Sequence, residues 1–310
     1  MRKKNVLKII SIVVVIAVTV LILFLVILRK GNKRSLRINE VQGDASITRD
    51  DINKIELYKN MPILSGDSLV LNNGILTLFA DKDKYIYFDE KTEMQIEMSG
   101  TRRESETEIA LQRGAISLDF RKKLSNNSTF VITTSNVSVS TRGDIFRVET
   151  YEEDNLLYTR VSVYKGDVKT KLLLKDGSES EEELSVVAGN EVIICEDENN
   201  TWFMSQPVDI DYARLPAPFL KKLKKASESK RGICLRTDEI DQLLEEKATV
   251  TFKYNEKIFG VETVEKNSVI TATPTDPTVS GGWDYDFSKP VKEDIEIEWK
   301  QNSSETGTEN

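Results

Sequence analysis

The sequence predicts a mainly β protein with an N-terminal transmembrane helix, a helical linker and a small β module at the C-terminus. Three observations predict this fold class. Residues 9–28 are almost entirely apolar. From 38 to about 200, apolar and polar residues alternate, with Gly, Asn and Asp at turn positions. The same alternation returns over 249–300, after a segment marked by prolines.

The composition excludes several classes of function. The chain has 310 residues, 43 Lys and Arg, 51 Asp and Glu, two Cys and no His. Without His there is no Ser/His/Asp or Cys/His catalytic group and no imidazole zinc site. The first 37 residues carry nine bases and no acid, so the rest of the chain is strongly acidic. An acidic body repels phosphate backbones, and we expect no nucleic-acid partner.

The apolar run over 9–28 has the length of a membrane helix. It contains 20 residues, of which only Ser11 and Thr19 are polar. At about 1.5 Å per residue this length spans a bilayer core. A cleaved signal peptide is the alternative, but its apolar region is shorter and ends at a small-residue cleavage site. We therefore expect a signal anchor after a cytoplasmic tail, residues 1–8, although the flanking charges do not decide the orientation.

The region 38–205 is expected to form a β domain. Asn73-Gly74 lies between two alternating runs and predicts a hairpin with a type I′ turn. The acidic stretch 152–155 and the stretch 175–177 predict two further hairpins. Within this region, up to residue 205, we expect no helix of ordinary length.

Glycines recur before alternating strands in this region. Gly43, Gly114 and Gly166 precede such strands, which is typical of points where a strand bends or bulges. Gly143 is expected to adopt a backbone conformation disfavoured for other residues, and Phe146 to lie in the core. Arg142 and Asp144, on either side of Gly143, could contact a ligand. Alternatively, the arginine could satisfy turn carbonyls or pair with the acid.

The ordered series of motifs over about 38–198 resembles the FecR domain. The series is QGDASI, ILSGDSL, RGAISLDF, FVITTSNVSVSTRGDIFRVE, RVSVYKGDVKT and VVAGNEVII, in which STRGDIF (140–146) is the most telling part. The resemblance implies an all-β, extracytoplasmic domain, either a short solenoid or a twisted two-sheet module. FecR proteins carry signals from an outer-membrane receptor to a cytoplasmic sigma factor through a long N-terminal segment, and residues 1–8 are too short for that part.

The segment 206–248 is predicted to be a linker with two short helices. The first covers 219–230, and we expect it to be solvated, although a membrane-surface helix is the alternative. The second covers 238–247, with Thr237 as its cap and an apolar face that packs against a neighbouring domain.

The region 249–300 resembles the internalin B-repeat, a small β-grasp-like module. The resemblance rests on VTF, TPTDPT, GGW with Trp283, DFSKPVKEDI and the closing Trp299, in that order. Proteins with this repeat are bacterial surface proteins, which implies that the body lies outside the cytoplasm. Residues 301–310 are expected to be a disordered tail.

No catalytic, cofactor or metal site is predicted. Paired acids are frequent, but no stretch matches a calcium-binding loop. Cys195 and Cys234 could form a disulfide outside the membrane, or could be two separate small apolar residues.

These observations predict a protein that acts by contact rather than by catalysis. We expect a single-pass cell-envelope protein whose FecR-like domain binds a protein or polysaccharide partner. The alternative is a FecR-like transducer that reports an external ligand across the membrane.

Overall fold

The computed structural model describes residues 36–302, except 51, 82, 102–103, 197–200 and 230. The expected tail 1–8, the expected membrane helix 9–28 and residues 303–310 lie outside the described residues. Within the described ranges, no helix is long and apolar enough to cross a bilayer. The expected fold class is corrected accordingly. The described chain is mainly β, as predicted, but a membrane helix is not part of it.

The β domain contains fifteen strands that belong to one branched sheet. In chain order these strands are β1 (Leu36–Arg49), β2 (Ile52–Glu56), β3 (Ser68–Ala80), β4 (Lys84–Phe88), β5 (Thr92–Gly100), β6 (Ser105–Phe120), β7 (Thr129–Thr133), β8 (Val137–Ser140), β9 (Ile145–Glu153), β10 (Leu156–Lys165), β11 (Asp167–Leu173), β12 (Glu179–Val187), β13 (Asn190–Glu196), β14 (Trp202–Met204) and β15 (Val208–Asp209).

The longest strands change partners along their length. The first part of β6 pairs with β5 and β7, and its last part pairs with β4 and β9. Likewise, the start of β3 pairs with β5 and its end with β4. Because a strand that changes partners turns from one layer into another, the sheet folds over a single apolar core.

Glycines lie at these changes of partner. Gly114 in β6 has a φ of +81°, and Gly74 in β3 has a φ of +102°. The hairpin predicted at Asn73-Gly74 is therefore wrong: β3 runs straight through this dipeptide, and Gly74 lies opposite Gly43 of β1. Gly74 allows a bulge inside one strand and does not form a turn between two strands.

The other two predicted hairpins are confirmed. β9 and β10 are antiparallel and joined at Asp154 and Asn155, both with positive φ, as a type I′ turn requires. β11 and β12 are antiparallel and joined through a turn that contains Gly177.

Two helices follow the β domain and pack against it. A 3-10 turn over Tyr212–Arg214 leads to α1 (Ala217–Glu228) and α2 (Thr237–Glu246). Leu220 and Leu223 of α1 are buried in a second apolar cluster that includes Tyr164 of β10. The segment is thus part of the packed body, not a solvated linker. Thr237 is the first residue of α2 rather than its cap, and no side chain caps that end.

The C-terminal module is a four-stranded mixed sheet. Its strands are β16 (Lys247–Tyr254), β17 (Lys257–Glu265), β18 (Gly281–Trp283) and β19 (Ile295–Gln301), in the spatial order β17, β16, β19, β18. β16 and β19 are parallel, and the other pairs are antiparallel. The aromatic residues Phe252, Trp283 and Trp299 form edge-to-face pairs in or beside its core.

Candidate functional site

A cleft of about 1360 Å³ lies where the β domain, helix α1 and the C-terminal module meet. We call it the interdomain cleft. Pockets between packed units are frequent binding sites because several elements contribute groups to one concave surface. Its walls include Tyr87 and Glu90 of the β domain, Lys221 and Lys222 of α1, and Thr251 and Glu262 of the module.

Strand β4 forms the aromatic part of the wall. Its residues alternate between the core, which holds Ile86 and Phe88, and the cleft, which Tyr85 and Tyr87 line. The two tyrosine rings are stacked, with centroids 6.2 Å apart. The ammonium of Lys222 lies 3.6 Å from the centroid of the Tyr87 ring, a cation–π contact that holds α1 to the strand. Burial raises the pKa of Tyr87 to about 12, so its phenol is protonated at neutral pH.

A buried ion pair connects the cleft wall to the core below it. The Arg147 guanidinium of β9 is almost fully buried and lies 2.8 Å from the carboxylate of Asp89, which lines the cleft. The same guanidinium lies 5.3 Å from the ring centroid of Phe219 in α1. Arg147 therefore couples the position of α1 to that of the cleft wall.

Glu90 connects the β domain to the C-terminal module. One of its carboxyl oxygens, Oε1, accepts from the Gly74 backbone N–H and from the Val261 backbone N–H, each at 2.7 Å. Burial raises the pKa of Glu90 to about 7, although both N–H groups favour the charged form. Burial also raises the pKa of the neighbouring Glu262. Glu90 is thus a group in this part of the cleft whose protonation changes near neutral pH.

The predicted motif around Gly143 lies outside this cleft, and its hydrogen bonds join two segments inside the β domain. The buried Asp144 accepts from the Thr141 hydroxyl at 2.6 Å, and from the backbone N–H groups of Arg142 at 3.2 Å and Asp167 at 3.2 Å. Its carboxylate therefore joins its own turn to the start of β11. Phe146 is fully buried in the main core.

The glycines of the motif allow these close contacts. Gly143 has a φ of +147°, and a Cβ there would lie 2.7 Å from the Cα of Lys123. A Cβ on Gly166 would lie 1.9 Å from a carboxylate oxygen of Asp144, and one on Gly114 would lie 2.5 Å from the Thr92 hydroxyl. The Arg142 side chain donates to the carbonyl of Ser125 at 3.2 Å rather than to Asp144.

The remaining predicted site residues lie elsewhere. Trp283 and Trp299 belong to the module, where the Trp283 indole donates to Asp276 at 3.1 Å. Cys195 and Cys234 are not joined by a disulfide. The thiol of Cys234 lies beside Gly189, and Cys195 is six residues further along the chain on an extended strand. Because a strand rises about 3.3 Å per residue, the two thiols are too far apart to bond.

The paired acids do not form a metal site in the described part of the chain. No cluster of three or more His, Cys, Asp or Glu is arranged to hold an ion there. Several of these acids have lysine partners instead: Asp83 contacts Lys84 at 2.6 Å, and Asp286 contacts Lys289 at 3.7 Å.

Comparison with known proteins identifies part of the β domain. The FecR protein family matches residues 72–169, so this part of the chain is a FecR domain. The match covers the middle of the longer region, about 38–198, for which the motif series predicts such a domain. The match includes the tyrosine pair, Asp89, Glu90 and Arg147, and it excludes α1 and the C-terminal module. No curated protein matches the chain.

Two solved structures show weaker likeness. Both are crystal structures described as a "putative anti-sigma factor" from Parabacteroides distasonis ATCC 8503. The first is 17% identical, with a TM-score of 0.35, and the alignment covers 45% of this chain and 59% of that one. The second is 13% identical, with a TM-score of 0.37, and covers 76% of this chain and 99% of that one. Scores of this size do not establish a common overall fold.

Proposed function

We propose that this protein is a FecR-type regulator that binds a partner in the interdomain cleft. The observation that carries the proposal is the composition of the cleft: one wall belongs to the FecR domain, and the opposite walls come from segments outside that match. A partner in the cleft would contact the FecR domain and these other segments at the same time. Its binding would therefore change how the C-terminal module sits on the FecR domain.

The charges of the cleft indicate the chemistry of the partner. Lys221 is engaged by Asp294, and Lys222 lies on Tyr87. Burial dominates the environment of both Glu90 and Glu262. Glu90 also accepts from two backbone N–H groups, and Lys91 is the cation that acts on both carboxyls. We therefore favour an uncharged or cationic segment of a protein over an anionic polymer. Action is by binding, without a chemical step.

The proposal includes a location outside the cytoplasm. Its support is the resemblance of 249–300 to the internalin B-repeat, found in bacterial surface proteins. The compact β module of the structure is compatible with that resemblance. A scaffold function of the same surface is the second candidate, and it predicts binding without any regulatory effect.

A transcript comparison separates regulator from scaffold. In the source bacterium, loss of the protein should change a defined set of transcripts, and the wild-type chain should restore them. Thr251→Arg, which projects a long cation from β16 into the cleft, should fail to restore them at normal protein abundance. The matched control, Glu181→Arg on the edge strand β12, should restore them. An unchanged transcript set, or full rescue by Thr251→Arg, would refute the regulator.

A further inference from the structure

The C-terminal module reaches the β domain through a gap formed by two glycines. Gly43 and Gly74 lie opposite each other in β1 and β3. A Cβ on Gly43 would lie 3.0 Å from the backbone oxygen of Ile258 in β17, and 2.5 Å from that of Asn73. Without side chains at this point, β17 can approach the two strands closely.

Few hydrogen bonds hold the module at this gap. The Ile258 N–H donates to the side chain of Gln42 at 3.2 Å, and the Asn73 amide donates to Thr275 at 3.4 Å. The shorter contact is the one made by Glu90, whose single oxygen joins Gly74 of the β domain to Val261 of the module. Glu90 is thus the strongest polar link between the two at this place.

The charged groups that act on Glu90 come from two elements. Glu262 of β17 opposes its ionisation, and Lys91 of its own turn favours it. β1 contributes the neutral Gln42 to this contact, and β3 contributes the Gly74 N–H. An ionised Glu90 would therefore place a second carboxylate beside Glu262 in a partly desolvated contact.

We propose that Glu90 is a proton-controlled latch that holds the C-terminal module on the FecR domain. The protonated carboxyl keeps both backbone contacts without a buried charge, and the module stays docked. The ionised carboxylate is better solvated when the module moves away, and the cleft widens. The latch itself needs no partner. It rests on the proposed function only for the statement that a partner binds in the cleft that this movement widens.

The direction of the pH effect follows from the pKa. In the docked state the pKa of Glu90 is about 7, above the ordinary value of 4.5. Between these two pKa values the docked state therefore binds a proton that the undocked state does not. The stabilisation that this proton gives the docked state is complete below the ordinary pKa and is lost as the pH rises through 7. The raised pKa of Glu262 acts in the same direction.

The test measures the distance between the two units in the purified full chain. Nitroxide labels are attached at Glu181→Cys in β12 and Glu293→Cys in the module, with Cys195 and Cys234 replaced by Ser. Pulsed electron resonance should give one narrow distance at pH 5. At pH 8.5 a broader or longer population should appear, with a midpoint of about pH 7.

Two variants and one control decide the outcome. Glu90→Gln, which keeps the accepting oxygen without the charge, should give the narrow distance at both pH values. Glu262→Gln should move the midpoint to lower pH, because it removes the neighbouring charge. Glu265→Gln, an exposed residue of the same strand, should behave as wild type. A wild-type distance that does not change with pH, or a pH response that persists in Glu90→Gln, overturns the latch. Because no partner is present, such a failure leaves the proposed function standing.

Discussion

At the residue scale, Asp144 is the side chain on which the FecR motif depends. It is buried, and it accepts hydrogen bonds from one hydroxyl and from backbone groups of two separate segments. The sequence left open whether Arg142 and Asp144 contact a ligand or whether the arginine pairs with the acid. In the structure Asp144 holds its own turn and the start of β11, and the loss of its carboxylate would leave several buried donors without an acceptor.

We expect Asp144→Ala to lower the free energy of unfolding by about 2 to 4 kcal/mol, since buried unsatisfied donors cost about 1 to 3 kcal/mol each. Arg142→Ala removes only exposed contacts, to the Ser125 carbonyl and the Asn126 side chain, and should cost less than about 1 kcal/mol. Denaturant unfolding of the full chain measures both values. Equal effects of the two substitutions would show that the carboxylate does not hold the turn.

The glycine of the motif can be tested in the same way. Gly143→Ala should lower the melting temperature, because it brings a Cβ within 2.7 Å of Lys123 Cα at a positive φ. Gly282→Ala is the matched control, since a Cβ at Gly282 meets no atom within 4 Å. If the two variants melt alike, the backbone at Gly143 is not constrained as described.

At the element scale, helix α1 is part of the packed body. We expect Leu220→Ala to destabilise the protein by about 2 to 5 kcal/mol, the usual cost of a cavity at a fully buried leucine. Lys225→Ala, on the exposed face of the same helix, should cost almost nothing. Thermal unfolding of the two variants and the wild type measures these differences in stability. A negligible effect of Leu220→Ala would restore the sequence-based interpretation of 219–230 as a solvated helix of a linker.

Sequence patterns predicted elements with local signals and missed those that depend on distant partners. The β9–β10 hairpin was predictable because Asp154 and Asn155 favour the turn wherever it lies. The dipeptide Asn73-Gly74 has the same local preference, yet Gly43 pairs with Gly74 and makes the strand continuous. The apolar face of α1 was visible in the sequence, but its partner Tyr164 is more than 50 residues away.

The interdomain cleft was not predictable for the same reason. Alternation in 84–88 indicates that Tyr85 and Tyr87 share one face, but nothing local shows what lies opposite them. Glu90 looks like an ordinary turn residue, and its second donor, Val261, is 171 positions further along the chain. No pattern of charge or spacing in a single sequence indicates that Glu90 and Val261 are in contact.

At the scale of the whole molecule, location is the first property to test. Cys234 is exposed, and a thiol reagent that cannot cross membranes should label it on intact cells if the body lies outside the cytoplasm. Cys234→Ser identifies the labelled site. Labelling that appears only after lysis would place the body in the cytoplasm and remove the extracytoplasmic part of the proposal.

The central claim is that a partner occupies the cleft between the FecR domain and the C-terminal module. The most direct measurement is photocrosslinking in growing cells, with a benzophenone amino acid at Thr251 in the cleft or at Glu181 on β12. Mass spectrometry then identifies what is captured. The account predicts one protein captured at Thr251, absent at Glu181 and lost when Thr249, which also lines the cleft, is changed to Arg. Capture that is equal at both positions, or unaffected by Thr249→Arg, would contradict it.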